Sequence, residues 1–310
     1  MLNDWHAARC RGTGSRDGRR YQGFTLVELV VVLAMLLLLV ATLLPGLSKS
    51  GITSNAMQCL NNNRQLCMAW RMYADDSADR ITYASSIYGA PDTTSNWPDR
   101  YAWTGAHMDF NPNNRANWDP TFDMMLRPLW PYARNQNAYK CPSDRSTVTT
   151  VSGVKPRLLT MSMNTYVGGF APMVPHDTPP DGTDGGWSTI SRGCRVYHKI
   201  ADFGAAGGRP DQIFVFVDER DDRVNWGNYM ADMTGYSPVN PAAWQFQSDM
   251  PGMYHDRAAT FSFVDGHGEI KRWTDPRTTP PYSLDIGSGF SPSPNNPDVY
   301  WIQDHSTRPR

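Results

Sequence analysis

The chain has 310 residues, of which 40% are apolar and 19% charged, enough to bury a substantial core in one large domain or two ordinary ones. A net charge of −1 and an isoelectric point near 6.6 argue against a nucleic-acid binder, which normally presents a strongly basic face. The charge is uneven: residues 1–23 hold five arginines against two aspartates, whereas residues 24–310 hold 24 basic and 28 acidic side chains. A basic leader ahead of an acidic body fits a cytoplasmic N-terminus and an exported remainder.

From Phe24 to Leu44, 21 residues contain a single ionisable group, Glu28. As a helix this span is about 31 Å long, close to the hydrocarbon thickness of a bilayer. Only a helix satisfies the backbone of a lone segment in lipid. A secretory signal peptide is the competing reading. The apolar run exceeds the usual h-region of about 7–15 residues, and Leu44-Pro45-Gly46-Leu47 offers no small-x-small cleavage site. A carboxylate inside such a span costs about 3 kcal/mol and marks function.

Immediately around that carboxylate the chain reads Arg19-Arg20-Tyr21-Gln22-Gly23-Phe24-Thr25-Leu26-Val27-Glu28. This resembles the processing site of type IV prepilins and type II secretion pseudopilins. The resemblance implies cleavage after Gly23 by a prepilin peptidase and N-methylation of Phe24. Glu28 becomes the fifth residue of the mature chain, where it would set assembly register. Pro45 becomes the helix-kinking proline. Physically, an α-amino group exposed at Phe24 and a buried Glu28 on a neighbouring subunit compensate each other, which favours one axial offset over others.

The helix is expected to continue beyond the apolar span. Ile52, Ala56, Cys59, Leu60, Cys67, Trp70 and Ala74 lie near a 3.6-residue period, and Asp75, Asp76 and Asp79 end the apolar face. This stripe reads as core rather than as a cofactor box. In the body, residues 158–163 and 213–217 read as strands. Residues 260–264 and 269–273 flank Asp265-Gly266-His267-Gly268, a hairpin signal. The expected fold is α+β, a long N-terminal transmembrane helix packed on an antiparallel β-sheet head. Its parts are a cleaved basic leader (1–23), a transmembrane and spine helix (24–79), a periplasmic globular head (80–274) and a loop-rich C-terminal tail (275–310).

A second resemblance is narrower. His255, nine residues, then Asp265-Gly266 is similar to the prepilin-type processing-associated H-x9-DG family. Further matching pieces are Cys59 to Leu66, Cys141-Pro142-Ser143-Asp144, Met163-Asn164-Thr165-Tyr166 and Val217-Asp218-Glu219.

Candidate sites compete with structural readings. His255, Asp265 and His267 have metal-ligating chemistry. The favoured alternative is that Asp265 caps the turn, Gly266 supplies its torsion and His255 bonds a neighbouring strand. Asp218, Glu219, Asp221 and Asp222 have the oxygen donors calcium takes, and the resemblance to pseudopilins brings calcium in the head with it. Their spacing matches no calcium loop, so a solvated acidic turn is preferred. Gly204 to Gly208 lacks the Lys-Ser/Thr of a phosphate loop, and no Gly-x-Ser-x-Gly elbow occurs, so no enzyme signature is found.

With Cys10 in the leader, Cys59, Cys67, Cys141 and Cys194 remain, an even number that allows three disulfide connectivities in an exported head. On an intact helix Cys59 and Cys67 stand about 12 Å apart along the axis, beyond disulfide reach. Cys59 with Cys141 is the preferred pair, free buried thiols the alternative. The sequence thus reads as a prepilin-like structural subunit of the inner membrane with a periplasmic head. Its expected partners are prepilin peptidase and copies of itself or other pseudopilins. The rival readings are a membrane-anchored envelope enzyme or carbohydrate-binding protein borrowing the export signal, and a signal-anchored receptor that is never trimmed.

Overall fold

A computed structural model describes residues 25–86, 101–105, 107–171, 193–205, 208–282 and 291–310, with only the backbone described for residues 40–51. The leader and the Gly23–Phe24 junction lie outside the described residues. The chain divides into two compact units, residues 1–49 and residues 50–310.

Helix α1 runs from Leu26 to Asp76. It begins at a capping box: the Thr25 hydroxyl accepts from the Glu28 amide at 3.2 Å, and Glu28 Oε2 accepts from the Thr25 amide at 2.8 Å. In the first unit every large apolar side chain from Leu26 to Leu39 is exposed. Among the described residues no helix is long and apolar enough to cross a membrane. Pro45 falls within α1, in the part whose side chains are not described.

In the second unit α1 buries Ala56, Cys59, Cys67, Trp70 and Ala74 of the predicted stripe and also Leu66 and Tyr73, while Leu60 is half-buried and Ile52 stays 41% exposed. It packs on a five-stranded sheet of order β5-β3-β4-β7-β8. The strands are β3 (Met161–Asn164), β4 (Phe214–Asp218), β5 (Asn228–Tyr229), β7 (Ala258–Phe263) and β8 (Gly268–Arg272). Three pairings are antiparallel, but β5 lies parallel to β3, so the sheet is mixed rather than antiparallel. A two-residue strand carries no period by which a sequence could announce it. Hairpin β1–β2 (Thr147–Thr150, Gly153–Pro156) and the short pair β6–β9 (Gln245–Phe246, Ser291–Pro292) lie outside this sheet.

Side chains four apart on α1 reach β7 and its following turn. Asn63 Nδ2 donates to the Thr260 carbonyl (3.0 Å), Cys67 Sγ to that of Phe263 (3.1 Å) and Arg71 to that of Val264 (2.7 Å). One residue per turn of helix thus fixes the spine against the sheet. At the start of β8, Gly268 lets the helix approach: a Cβ there would lie 2.7 Å from Leu60 Cδ1.

The C-terminal stretch corrects the expectation of a loose tail. Pro297–Ser306 is a helix with Asn296 as its N-cap, and it buries Val299, Ile302, Gln303 and Ser306. Buried Asp298 accepts from the amides of Thr274 and Asp275 and from the hydroxyls of Thr274 and Thr278. An Asn-Pro-Asp start followed by spaced apolar residues is a helix signal that the surrounding Pro and Ser obscure.

Candidate functional site

The sequence-predicted residues separate into three places. At the N-terminus, Glu28 lies on the first turn of α1, where Oε2 takes both the amide and the hydroxyl of Thr25 (2.8 and 2.9 Å). Thr25 is a functional neighbour that the Thr-Leu-Val-Glu spacing could have disclosed.

The His255-to-Gly266 stretch spans strand β7, with the histidine before one end and the Asp-Gly turn after the other. A six-residue strand puts roughly 20 Å between those ends, so His255 cannot share a metal with Asp265 and His267. At the turn, Asp265 Oδ1 accepts from the His267 amide (3.0 Å) and Gly266 adopts φ +94°, the structural roles expected of them. His255 does not bond a neighbouring strand as expected: its Nε2 lies 3.3 Å from Cys141 Sγ in the buried interior.

The acidic run is equally divided, and it is not a solvated turn. Asp218, Glu219 and Asp222 are at most 1% exposed because β4 carries the chain through the core. Glu219 accepts from Ser162 (2.5 Å), Asp222 is paired with Arg220 (2.6 Å), and Asp221 accepts from the Tyr254 hydroxyl (3.2 Å). Each of these carboxylates thus has a partner of its own within the head.

Asp218 joins a different set. One ligand-type atom from each of Cys59, Cys141, Asp218 and His255 lies within 4.8 Å of the other three, and all four residues are buried. Cys59 comes from α1, Cys141 from the loop before β1, Asp218 from the end of β4 and His255 from the loop entering β7. Cys59 and Cys141, the preferred disulfide pair, are neighbours here as free thiols. Periodicity could not reveal this grouping, although each residue falls within a separate piece of the second resemblance.

Thr260 organises the cluster. Its amide and hydroxyl both donate to Asp218 Oδ1, and its hydroxyl oxygen accepts the Cys141 amide (2.8 Å) and the side chain of Asn63 (2.8 Å). Cys59 Sγ lies 3.2 Å from the same hydroxyl. Asp218 Oδ2 is thereby left inside the cluster without a hydrogen-bond partner among the described residues; His255 Nε2 stands 3.7 Å away, too far for one. Gly252 permits this packing, since a Cβ there would come within 2.7 Å of Asp218 Oδ2.

Burial pushes the Cys59 thiol well up, reinforced by Cys141 and Asp218, and raises the Asp218 carboxyl against the opposing pull of His255. Burial also works against a Cys141 thiolate, yet the contacts with Cys59 and His255 outweigh it and hold Cys141 below its ordinary value. Burial disfavours a charged His255 ring, but Cys141 and Asp218 override it and raise its pKa. Two sulfurs, one imidazole and one carboxylate are donors that suit zinc-like ions.

Two other features bear on ligand binding. Thr104, Met108, Tyr139 and Leu159 help line a cavity of about 20 Å³, room for one water rather than a ligand. No described tryptophan is exposed, and Trp70 and Trp103 are wholly buried, so these aromatics act as core anchors.

Residues 18–44 match the prokaryotic N-terminal methylation motif. The segment is a prepilin-type signal. It implies processing by a prepilin peptidase, and it starts in the leader and runs along α1 through the exposed apolar residues. No curated protein and no solved structure matches the chain.

Proposed function

We propose that the protein is a prepilin-like, pseudopilin-type structural subunit, trimmed after Gly23 and assembled through its N-terminal helix into an envelope filament or secretion pseudopilus. The observation that carries this reading is the methylation motif over residues 18–44, continued as a helix whose apolar side chains from Leu26 to Leu39 stand exposed. A contiguous apolar surface of that length requires cover by lipid or by other helices. Lipid covers it before assembly: residues 24–44, of which Phe24 and the side chains from residue 40 onward lie outside the described residues, form the single span, with the head on the periplasmic side. Neighbouring copies cover it afterwards. Glu28 compensates the Phe24 amine of an adjacent subunit, since an isolated charge in that setting is costly.

On this reading the head is non-catalytic and belongs with the H-x9-DG family, its His255-to-Gly266 motif framing the strand that α1 grips. The deciding experiment is mass spectrometry of the native N-terminus. The expected result is a chain starting at Phe24 with one added methyl group; a chain starting at Met1 overturns the proposal. Gly23→Val places a branched side chain at the cleavage junction and should leave uncut precursor in the membrane. Normal trimming of that variant would count against the site.

A further inference from the structure

We infer that Cys59, Cys141, Asp218 and His255 form a closed structural site for one zinc ion, which ties the spine helix to the sheet of the head. This rests on the buried cluster alone and is independent of trimming and assembly.

The donor set is the first argument. Zinc takes four ligands in a tetrahedron, from thiolate sulfur at ~2.3 Å and from imidazole nitrogen or carboxylate oxygen at ~2.0–2.2 Å. Such a tetrahedron has edges of roughly 3.4–3.8 Å between donor atoms. Two donor separations, 3.3 Å from Cys141 Sγ to His255 Nε2 and 3.7 Å from His255 Nε2 to Asp218 Oδ2, are within about 0.1 Å of that range, and all four donor atoms lie within 4.8 Å of one another, a spread that closing on an ion would contract. Calcium would need six or more oxygens, and the cluster offers one carboxylate.

One carboxylate oxygen in the cluster is unpartnered among the described residues. Asp218 is 0% exposed, its Oδ1 is held by Thr260, and its Oδ2 stands 3.7 Å from His255 Nε2 with no hydrogen bond among the described residues. A buried oxygen in that state is costly, and a cation at the cluster centre removes the cost. Thr260 then acts from the outer shell, fixing which carboxylate oxygen points inward.

The site is closed to solvent. Cys59, Cys141 and Asp218 are 0% exposed and His255 is 3% exposed, so four protein ligands complete the coordination with no position open to substrate. Sites of that kind stabilise folds rather than catalyse reactions. A Cys59–Cys141 disulfide would use two of the four groups and leave Asp218 Oδ2 as it is. Binding is metal-ion exchange for thiol protons: the sulfurs ligate as thiolates and their protons pass to water, so affinity rises with pH.

The test uses the full-length protein purified in detergent with reductant and without chelator. Elemental analysis should find one zinc per chain. Replacement by cobalt should produce the visible bands of a tetrahedral ion and a sulfur-to-metal charge-transfer band in the near ultraviolet. Cys141→Ser and His255→Gln should lose the metal, and Cys194→Ser, outside the cluster, should keep it. Thr260→Val should weaken binding about 10–100-fold in competition with a chromophoric chelator. Should those variants fail to fold, the wild-type protein decides: chelation should lower its melting temperature and expose two further thiols to a thiol reagent, and added zinc should reverse both. Protein that stays metal-free after zinc supplementation overturns the inference. So does an intact Cys59–Cys141 disulfide in protein isolated without reductant.

Discussion

Glu28 serves its own helix in this structure, closing a capping box with Thr25 through Oε2. In the proposed assembly it also answers a charge on a neighbouring chain. The two roles separate chemically, because glutamine can cap a helix and carries no charge. Glu28→Gln should therefore keep α1 capped and still lose ordered assembly, and Glu28→Leu, which makes the span more apolar, should impair assembly as well. Filament yield by electron microscopy checks this, and wild-type yield from Glu28→Gln would reduce the residue to a cap. At Gly252 the missing Cβ makes room for Asp218, whose carboxylate and carbonyl oxygens would lie 2.7 and 2.8 Å from it. Gly252→Ala overpacks that contact and should cost about 1–3 kcal/mol in chemical denaturation.

Along α1, the residues that grip the head recur every fourth position, Cys59, Asn63, Cys67 and Arg71, and three of them bond backbone carbonyls of β7 or its turn. One strand side chain joins these backbone acceptors: the Thr260 hydroxyl accepts from Asn63 and lies 3.2 Å from Cys59 Sγ. The C-terminal helix is held differently, by Asp298 accepting from the Thr274–Thr278 segment. Asn296 caps that helix through the Asp298 amide (2.9 Å) and also donates to Thr278 and Ser293. Asn296→Ala should destabilise the head by about 1 kcal/mol or somewhat more, read as a lower denaturation midpoint with an unchanged slope.

Across the molecule, the head buries Asp249 and Glu219, which form no ion pair among the described residues. Burial pushes the Asp249 carboxyl up to about 7 although the Met230 amide, Ser248 and Arg223 pull it down. Glu219 is pushed well up by burial, with Asp249 and Asp222 adding to it and Ser162 and Arg223 opposing it. Between the unfolded value near 4 and the folded value, the native state binds more protons than the unfolded state, so stability falls as pH rises. Its contribution is complete below about pH 4 and lost by about pH 7. Denaturation at pH 5 and pH 8 should show this slope in the wild type and a flatter one in Asp249→Asn.

The sequence alone determined the features whose physics is local in the chain. The leader charge, the Gly23–Phe24 junction and the apolar run stand consecutively. The buried face of α1 from Ala56 to Ala74 repeats with the helical period, and Asp265 to Gly268 places turn residues between two β-type runs. Tertiary structure alone decided the rest. Asp218, read as part of an acidic run, and His255, grouped with Asp265 and His267 or with a neighbouring strand, left those partners because β4 and β7 carry them to the buried ends of adjacent strands. Cys59 and Cys141 meet them there from a helix and a loop. Four residues on four elements share no spacing, and a donor cluster of that kind exists only once backbone hydrogen bonds have set the strands side by side.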